Sequence, residues 1–110
     1  MANIYKNEKV DLTTASETVL YTVPNDSRAI VKSILVCNDQ NSSGANIDVT
    51  LTNASGNVFS LFKTKAIAAL GTEQILTQPL VMLESEILKV TASDANELHV
   101  VASVLEINRD

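Results

Sequence analysis

The sequence predicts an all-β protein: a single-domain antiparallel β-sandwich, jelly-roll-like or barrel-shaped, with about eight or nine short strands. Short runs rich in valine, isoleucine and leucine recur along the chain at intervals of roughly ten residues. Apolar residues keep helical spacing in no window longer than about twelve residues. The glycines Gly44, Gly56 and Gly71 all fall between the apolar runs, where the chain must turn.

The size and composition of the chain fit one domain. Its 110 residues are close to the commonest domain length, so we assign residues 1–110 to a single β-sandwich. Apolar residues make up 45% of the chain but aromatic residues only 4%, which predicts an aliphatic core. Apolar and polar residues alternate poorly at the start, and we expect residues 1–10 to form an N-terminal arm that orders on a partner.

A turn separates the next two predicted strands. Strand-forming residues cover Thr18–Val23 and Arg28–Cys37. Between them, Val23–Ser27 contains a proline followed by asparagine and aspartate, which is the chemistry of a type I turn.

A β-hairpin is predicted over residues 46–63. Asn46–Asn53 alternates apolar and polar residues, as a strand with one buried and one solvated face does. Asn53–Asn57 then turns the chain, because Gly56 can take the positive φ that a short hairpin loop requires. Val58–Lys63 follows as the partner strand.

The second half of the chain contains further short strands. A glycine separates Ala66–Leu70 from Gln74–Thr77, and Ile67–Leu70 could instead form a short helical turn because alanine and leucine favour helices. Polar turns flank the strands predicted at Ile87–Ala92 and Leu98–Ile107.

Two of the predicted strands, Arg28–Cys37 and Leu98–Ile107, carry apolar residues in both phases of the strand alternation. We therefore expect them to be central strands that are covered on both faces.

The charge and the N-terminus argue against several classes of protein. The net charge is −5, and the eight Lys and Arg residues are scattered, so we expect no nucleic-acid partner. No apolar stretch is long enough to span a bilayer, and the N-terminus lacks the pattern of a secretory signal, so we expect no membrane association.

The residues with reactive side chains do not form a recognisable motif. Cys37 lies in an apolar run and is interpreted as a small buried hydrophobe, since a catalytic thiolate would need a base and nothing in the sequence links it to His99. His99 itself is interpreted as a hydrogen-bonded or half-exposed strand residue. Metal-binding motifs are absent, and a solvated loop is favoured over a calcium site around Asp39. We expect no catalytic residue, metal or cofactor, and no enzyme activity.

Two segments are candidates for contact with other subunits. Phe59 and Phe62 are expected on opposite faces of their strand, with one in the core. The other would be covered by a neighbouring subunit, unless a two-sided core covers it. The N-terminal arm is the second candidate, with Tyr5 as its anchor because tyrosine combines a large apolar surface with a hydroxyl. The candidate interface residues are Asn3, Ile4, Tyr5, Lys6, Phe59 and Phe62.

Three stretches carry a resemblance to a known family: NIYKNEKVDLTT at 3–14, TVLYTVPNDSRAIVKSILVCN at 18–38 and LKVTASDANELHVVASVLEI at 88–107. In their order of strands and turns they resemble the small virion structural proteins of tailed bacteriophages, with those of marine phages, including cyanophages, the nearest. Many relatives have a glycine in the turn where this chain has Asn25 and Asp26, which also tolerate turn geometry.

The resemblance implies a non-enzymatic part of a phage particle that is assembled in the host bacterial cytoplasm. Our first hypothesis is a capsid decoration (cement) protein on the head surface, with the major capsid protein or other virion proteins as partners. A homo-oligomer is expected, and a trimer is one arrangement. The alternatives are a tail, neck or fibre component and a host-glycan-binding module.

Overall fold

The computed structural model describes residues 2–109, which form nine β-strands and no helix. The strands are β1 (Ala2–Asp11), β2 (Thr18–Thr22), β3 (Ser27–Asn38), β4 (Ala45–Thr52), β5 (Val58–Ile67), β6 (Thr72–Gln74), β7 (Leu80–Met82), β8 (Ile87–Ala92) and β9 (Leu98–Asn108). Over this range no helix could cross a bilayer.

The strands form two antiparallel sheets. A five-stranded sheet has the order β1-β9-β3, and both β6 and β7 pair with the far side of β3. A four-stranded sheet has the order β2-β8-β4-β5. If β6 and β7 are taken as one interrupted strand, this order is that of a jelly roll, in which two Greek keys form facing sheets. The predicted fold class is confirmed.

The core is a thin aliphatic layer between the two sheets. Residues of alternating phase point inward and are removed from solvent, as the period of two requires. The fully buried side chains include Val31, Ile34, Ile47, Val90 and Val100. Burying aliphatic side chains of this size stabilises a fold by about 1.5–3 kcal/mol each.

The predicted hairpin is present, and the chain turns between β2 and β3 as predicted, but Asp26 does not have the negative φ of a type I turn. β4 and β5 pair antiparallel, and Gly56 between them has φ 89°. Asp26 lies at the turn before β3 with φ 63°, a conformation that aspartate tolerates better than most residues.

The segment Ala66–Leu70 is neither a strand throughout nor the short helical turn considered as the alternative for Ile67–Leu70. β5 continues to Ile67, which pairs with Ala45 and is fully buried. The chain then turns tightly, and the amide of Gly71 donates a 2.8 Å hydrogen bond to the carbonyl of Ala68. A Cβ at Gly71 would lie 2.9 Å from that carbonyl oxygen, so the close approach requires glycine.

The prediction that Arg28–Cys37 and Leu98–Ile107 are covered on both faces is also wrong. β3 and β9 are central within their sheet, but only its inner face packs against the other sheet. Outward residues of β3 therefore reach solvent, and Leu35 is 42% exposed.

A buried polar contact joins the two sheets near one end of the sandwich. Glu106 of β9 is 5% exposed, and its carboxylate accepts a 2.5 Å hydrogen bond from the hydroxyl of Tyr21 on β2. The ammonium of Lys6 on β1 lies 3.4 Å from the same oxygen and 5.7 Å from the centre of the Tyr21 ring. Burial raises the pKa of Tyr21, and its hydrogen bond and proximity to Glu106 raise it further. Burial acts to lower the pKa of Lys6, but its contacts with Glu8 and Glu106 leave it raised.

We expect Tyr21→Phe to lower the free energy of unfolding at pH 7 by about 1–3 kcal/mol, because Glu106 stays buried and loses its neutral donor. Both raised pKa values mean that the folded state holds its protons more tightly, so wild-type stability should fall as the pH rises above about 10. Tyr21→Phe should flatten that decline. Urea unfolding at several pH values measures both effects, and Tyr5→Phe, on an exposed side chain, is the matched control.

Candidate assembly surface

The outer face of the five-stranded sheet carries an apolar row that crosses the whole sheet. In the observed register, Tyr5 lies opposite Leu105, Leu105 opposite Ile30, and Ile30 opposite Val81. Directly opposed residues of antiparallel strands share a face, so these four side chains lie side by side. Tyr5 is 76% exposed and Val81 is 60% exposed.

Further apolar side chains extend this row on both sides. Ile107 lies one row toward the end of the sheet, and the opposed pair Val101 and Leu35 lies on the other side of a polar row. We call this set the outer apolar face; it consists of Tyr5, Ile30, Leu35, Val81, Val101, Leu105 and Ile107. Exposed apolar surface of this extent on a small domain makes the outer apolar face a candidate contact site.

Three cationic side chains border the outer apolar face. Lys9 and Arg28 are in the outward phase of their strands, and Lys32 is the extra residue at a bulge in β3 that places it outside near Tyr5. None of the three forms an ion pair with any residue that the structure describes, whereas the remaining Lys and Arg side chains do so. Although the chain is acidic overall, these three positive charges on the outer face have no ion-pair partner among the described residues.

A shallow pocket of about 330 Å³ lies at the end of the face. Arg28, Ile107 and Arg109 are among the residues that line it, together with Asp26 and Ser27. Arg109 is already 3.1 Å from Asp26 and 3.4 Å from Glu84, which leaves the Arg28 guanidinium as the group open to an added carboxylate.

The segment predicted as an arm is described from Ala2 onward as part of β1. Its residues pair without interruption along β9. Asn3 and Tyr5 are in the outward phase, whereas Ile4 and Lys6 are in the phase of the core, with Ile4 44% exposed at the edge. The role of Asn3, Ile4, Tyr5 and Lys6 in binding a partner stays a prediction.

Phe59 and Phe62 do not lie on opposite faces of β5. Phe59 is opposite Leu51 and Phe62 is opposite Val49, and both of these partners are buried. The register shifts between the two pairs because β5 has an extra residue there, which reverses the expected alternation. Phe62 packs against the core, and Phe59 is 54% exposed at the rim. Contact of either ring with another subunit stays a prediction.

The structure links Cys37 and His99, which the sequence left unconnected. They are directly opposed on β3 and β9, on the outer face. The His99 ring nitrogen Nε2 lies 3.3 Å from Asp11 and 3.8 Å from Asp39. The His99 side chain is 45% exposed on an open sheet surface, and no hydrogen bond joins it to the Cys37 thiol within residues 2–109. The geometry is that of a surface cluster that ties β1 and the loop after β3 to β9.

The oxygen ligands considered for calcium are used within the fold. The Asp39 carboxylate accepts a 3.0 Å hydrogen bond from the side-chain amide of Gln40. Its neighbour Asn38 accepts one of 3.0 Å at its side-chain oxygen from the backbone amide of Gln40, and the Asp48 carboxylate accepts one of 2.7 Å from the amide of Thr64. Across the described chain, no group of three or more His, Cys, Asp or Glu residues is placed to hold a metal ion.

A carboxyl pair lies in the loop between β8 and β9. Glu97 is 8% exposed. A hydrogen bond with Asp94 raises the pKa of Glu97, and burial adds to the increase, although contacts with Asn38 and Ser43 oppose it. These contacts therefore make Glu97 harder to ionise than an ordinary glutamate.

Sequence reasoning missed the outer apolar face because it assigned both phases of β3 and β9 to the core. The signal was present: apolar residues in both phases also occur in a strand whose outer face contacts another molecule.

Comparisons with known proteins show the fold. No protein-family model and no curated protein matches the chain. Among solved structures, the capsid of Helicobacter pylori bacteriophage KHP30 contains a chain with a TM-score of 0.59 at 9% identity, covering 97% of this chain and 89% of that one. A chain of the disulfide-linked pili that form Bacillus endospore appendages gives 0.56 at 9% identity, with 98% and 89% covered. A virus-like particle of the extra small virus of the prawn Macrobrachium rosenbergii gives 0.50 at 11% identity, with 100% and 82% covered.

We expect Glu97→Gln to raise the melting temperature at pH 7 and to leave it unchanged below about pH 4. Because the pKa of Glu97 is higher in the folded state than in the unfolded state, the folded state loses stability as the pH rises and Glu97 ionises. Glutamine does not ionise, so the variant does not lose stability in this way. Scanning calorimetry at the two pH values measures the difference. Glu73→Gln, at an exposed ion pair with Lys65, is the control and should change little at either pH.

Proposed function

We propose that the chain is a non-enzymatic structural subunit of a viral particle, and that it is a capsid decoration protein, which stabilises the head by binding major-capsid subunits. On this proposal it lies on the head surface of a tailed bacteriophage and is assembled in the bacterial cytoplasm.

The fold comparisons support the general part of the proposal. Two of the similar chains come from a phage capsid and a virus-like particle, and each is covered over more than four-fifths of its length. The third comes from a pilus. A capsid, a virus-like particle and a pilus are all large assemblies of repeated subunits, for which a small rigid sandwich is a suitable building block.

The outer apolar face is the observation that carries the proposal. Its row of Tyr5, Leu105, Ile30 and Val81 would lose exposed apolar surface on contact with another protein. The neighbouring Lys9, Arg28 and Lys32 are unpaired within the described residues, so they favour a partner surface that carries carboxylates. Each such contact is modest, and repetition over a symmetric shell would add the contacts through avidity.

A tail, neck or fibre component is the second candidate, and the similarity to a pilus chain favours it. A host-glycan-binding module has less support. Tyr21 is buried, so Tyr5 is the tyrosine that could stack on a sugar.

Copy number separates the first two candidates. A decoration protein should be present in hundreds of copies per particle and a fibre component in a few, and quantitative mass spectrometry of purified virions measures this number.

We expect Val81→Glu to reduce binding to empty heads at least about tenfold, because it places an anion in the apolar row, beside a partner surface that is itself acidic. Val19→Glu is the matched control: Val19 is 53% exposed, but it lies on the four-stranded sheet. Cosedimentation of each purified variant with heads that lack the protein gives the occupancy. Equal occupancy of the two variants would exclude the outer apolar face as the binding surface. Binding should also weaken as the salt concentration rises.

A further inference from the structure

One edge of the five-stranded sheet is long, regular and uncovered. β1 ends the strand order of that sheet, and its ten residues pair with β9 without a bulge. β5 is the other ten-residue edge strand, and its register shifts twice and includes Thr64 at φ 56°. Bulges protect an edge against pairing with another chain, so β5 is protected in this way and β1 is not.

The backbone groups that point away from β9 belong to alternate residues. The amide of Leu12 donates a 3.0 Å hydrogen bond to the carbonyl of Leu98, one step beyond the opposed pair Asp11 and His99. Hydrogen-bonded and non-hydrogen-bonded pairs alternate in an antiparallel ladder, so the even-numbered residues of β1 bond to β9. The free edge therefore presents the N–H and C=O groups of the odd-numbered residues Asn3, Tyr5, Asn7 and Lys9. Asp11 adds its N–H, whereas its C=O already accepts a 2.9 Å hydrogen bond from the amide of Thr13.

We propose that two copies of this chain associate through β1, antiparallel and edge to edge, with a two-fold axis at Asn7. In a two-fold contact, residue i meets residue j and residue j meets residue i. With the axis at Asn7, the two numbers of each opposed pair add to fourteen. All five outward-facing residues then meet one another, and Tyr5, Asn7 and Lys9 can each both donate and accept.

The side chains match in this register. On the core side, Lys6 meets Glu8 of the second copy, which joins the existing 3.3 Å pairs of Lys6 and Glu8 into a network of alternating charge. Ile4 meets Val10. On the outer side, the Tyr5 ring meets the ammonium of Lys9, a favourable cation–π arrangement.

The neighbouring two-fold registers are unfavourable. An axis at Lys6 sets two lysines directly opposite each other, and an axis at Glu8 sets two glutamates opposite each other. Directly opposed like charges destabilise an antiparallel pair. The charges of β1 therefore select Asn7 as the axis.

The paired sheets would form one continuous surface. The row that ends at Tyr5 in one copy continues through Lys9 into Val101 and Leu35 of the second copy. The outer apolar face would double in length, and its contact with a shell would become bivalent. The pairing itself is a property of the isolated chain, so its test does not depend on the proposed function.

Sedimentation equilibrium of the purified chain from about 1 to 500 μM tests the association directly. We expect a species of twice the 11.8 kDa chain mass. Asn7→Pro should weaken the association at least about tenfold, since each copy loses an outward N–H at the axis while its hydrogen bonds to β9 stay intact. Asn7→Ala is the control and should still dimerise. A wild-type chain that is monomeric throughout the range would overturn the proposal, as would equal association of the Pro and Ala variants.

A disulfide test reports the register and does not require that the Pro variant fold. In a Cys37→Ala background, Asn7→Cys places two thiols opposite each other at the axis, where the Cα atoms of a hydrogen-bonded pair are about 5.5 Å apart. Mild oxidation should yield a cross-linked dimer. Lys9→Cys in the same background separates the thiols by four residues, about 14 Å along the strand, and should cross-link much more slowly. Equal rates for the two variants would exclude an axis at Asn7.

Discussion

Burial of one face of every long strand is the constraint on which this structure depends. The core is one layer of aliphatic side chains between two sheets, with no tryptophan to anchor it. Because side chains alternate with a period of two, a shift of one residue would expose the whole inward set of a strand. The core therefore determines the register, and the register determines which outward residues are neighbours. The alignment of Tyr5, Leu105 and Ile30 on the outside is a consequence of packing on the inside.

The strands depart from this regular alternation in β3 and in β5, and the departures in both strands change the surface. An extra residue at Lys32 puts two successive outward positions beside the apolar row. The extra residues in β5 bring both phenylalanines to the core side and make that edge irregular. β1 has no such departure, and its Lys6 contacts both Glu106 of the same sheet and the ring of Tyr21 in the four-stranded sheet. The β5 edge is therefore too irregular to pair with a strand of another chain, whereas the β1 edge is regular enough to do so.

The two proposed surfaces serve one kind of function. A subunit of a shell or fibre needs rigidity and more than one contact direction, and the outer apolar face and the β1 edge provide two directions at right angles. The reactive residues are consistent with this interpretation. His99 meets Cys37 and two aspartates on an open face, where their contacts tie neighbouring chain segments together.

Local features could be predicted from the sequence: the strands around residues 28–37, 46–52, 87–92 and 98–107, and the turns at Asp26 and Gly56. These follow from alternation and from backbone preferences that act over a few residues. The pairing of strands, in contrast, is known only from the folded chain. The tertiary structure placed His99 opposite Cys37, assigned residues 2–11 to an edge strand despite their poor alternation, and ended the segment at Ile67 as a strand although its residues favour a helix. Strand pairing depends on contacts between residues far apart in the chain, and neither periodicity nor propensity records those contacts.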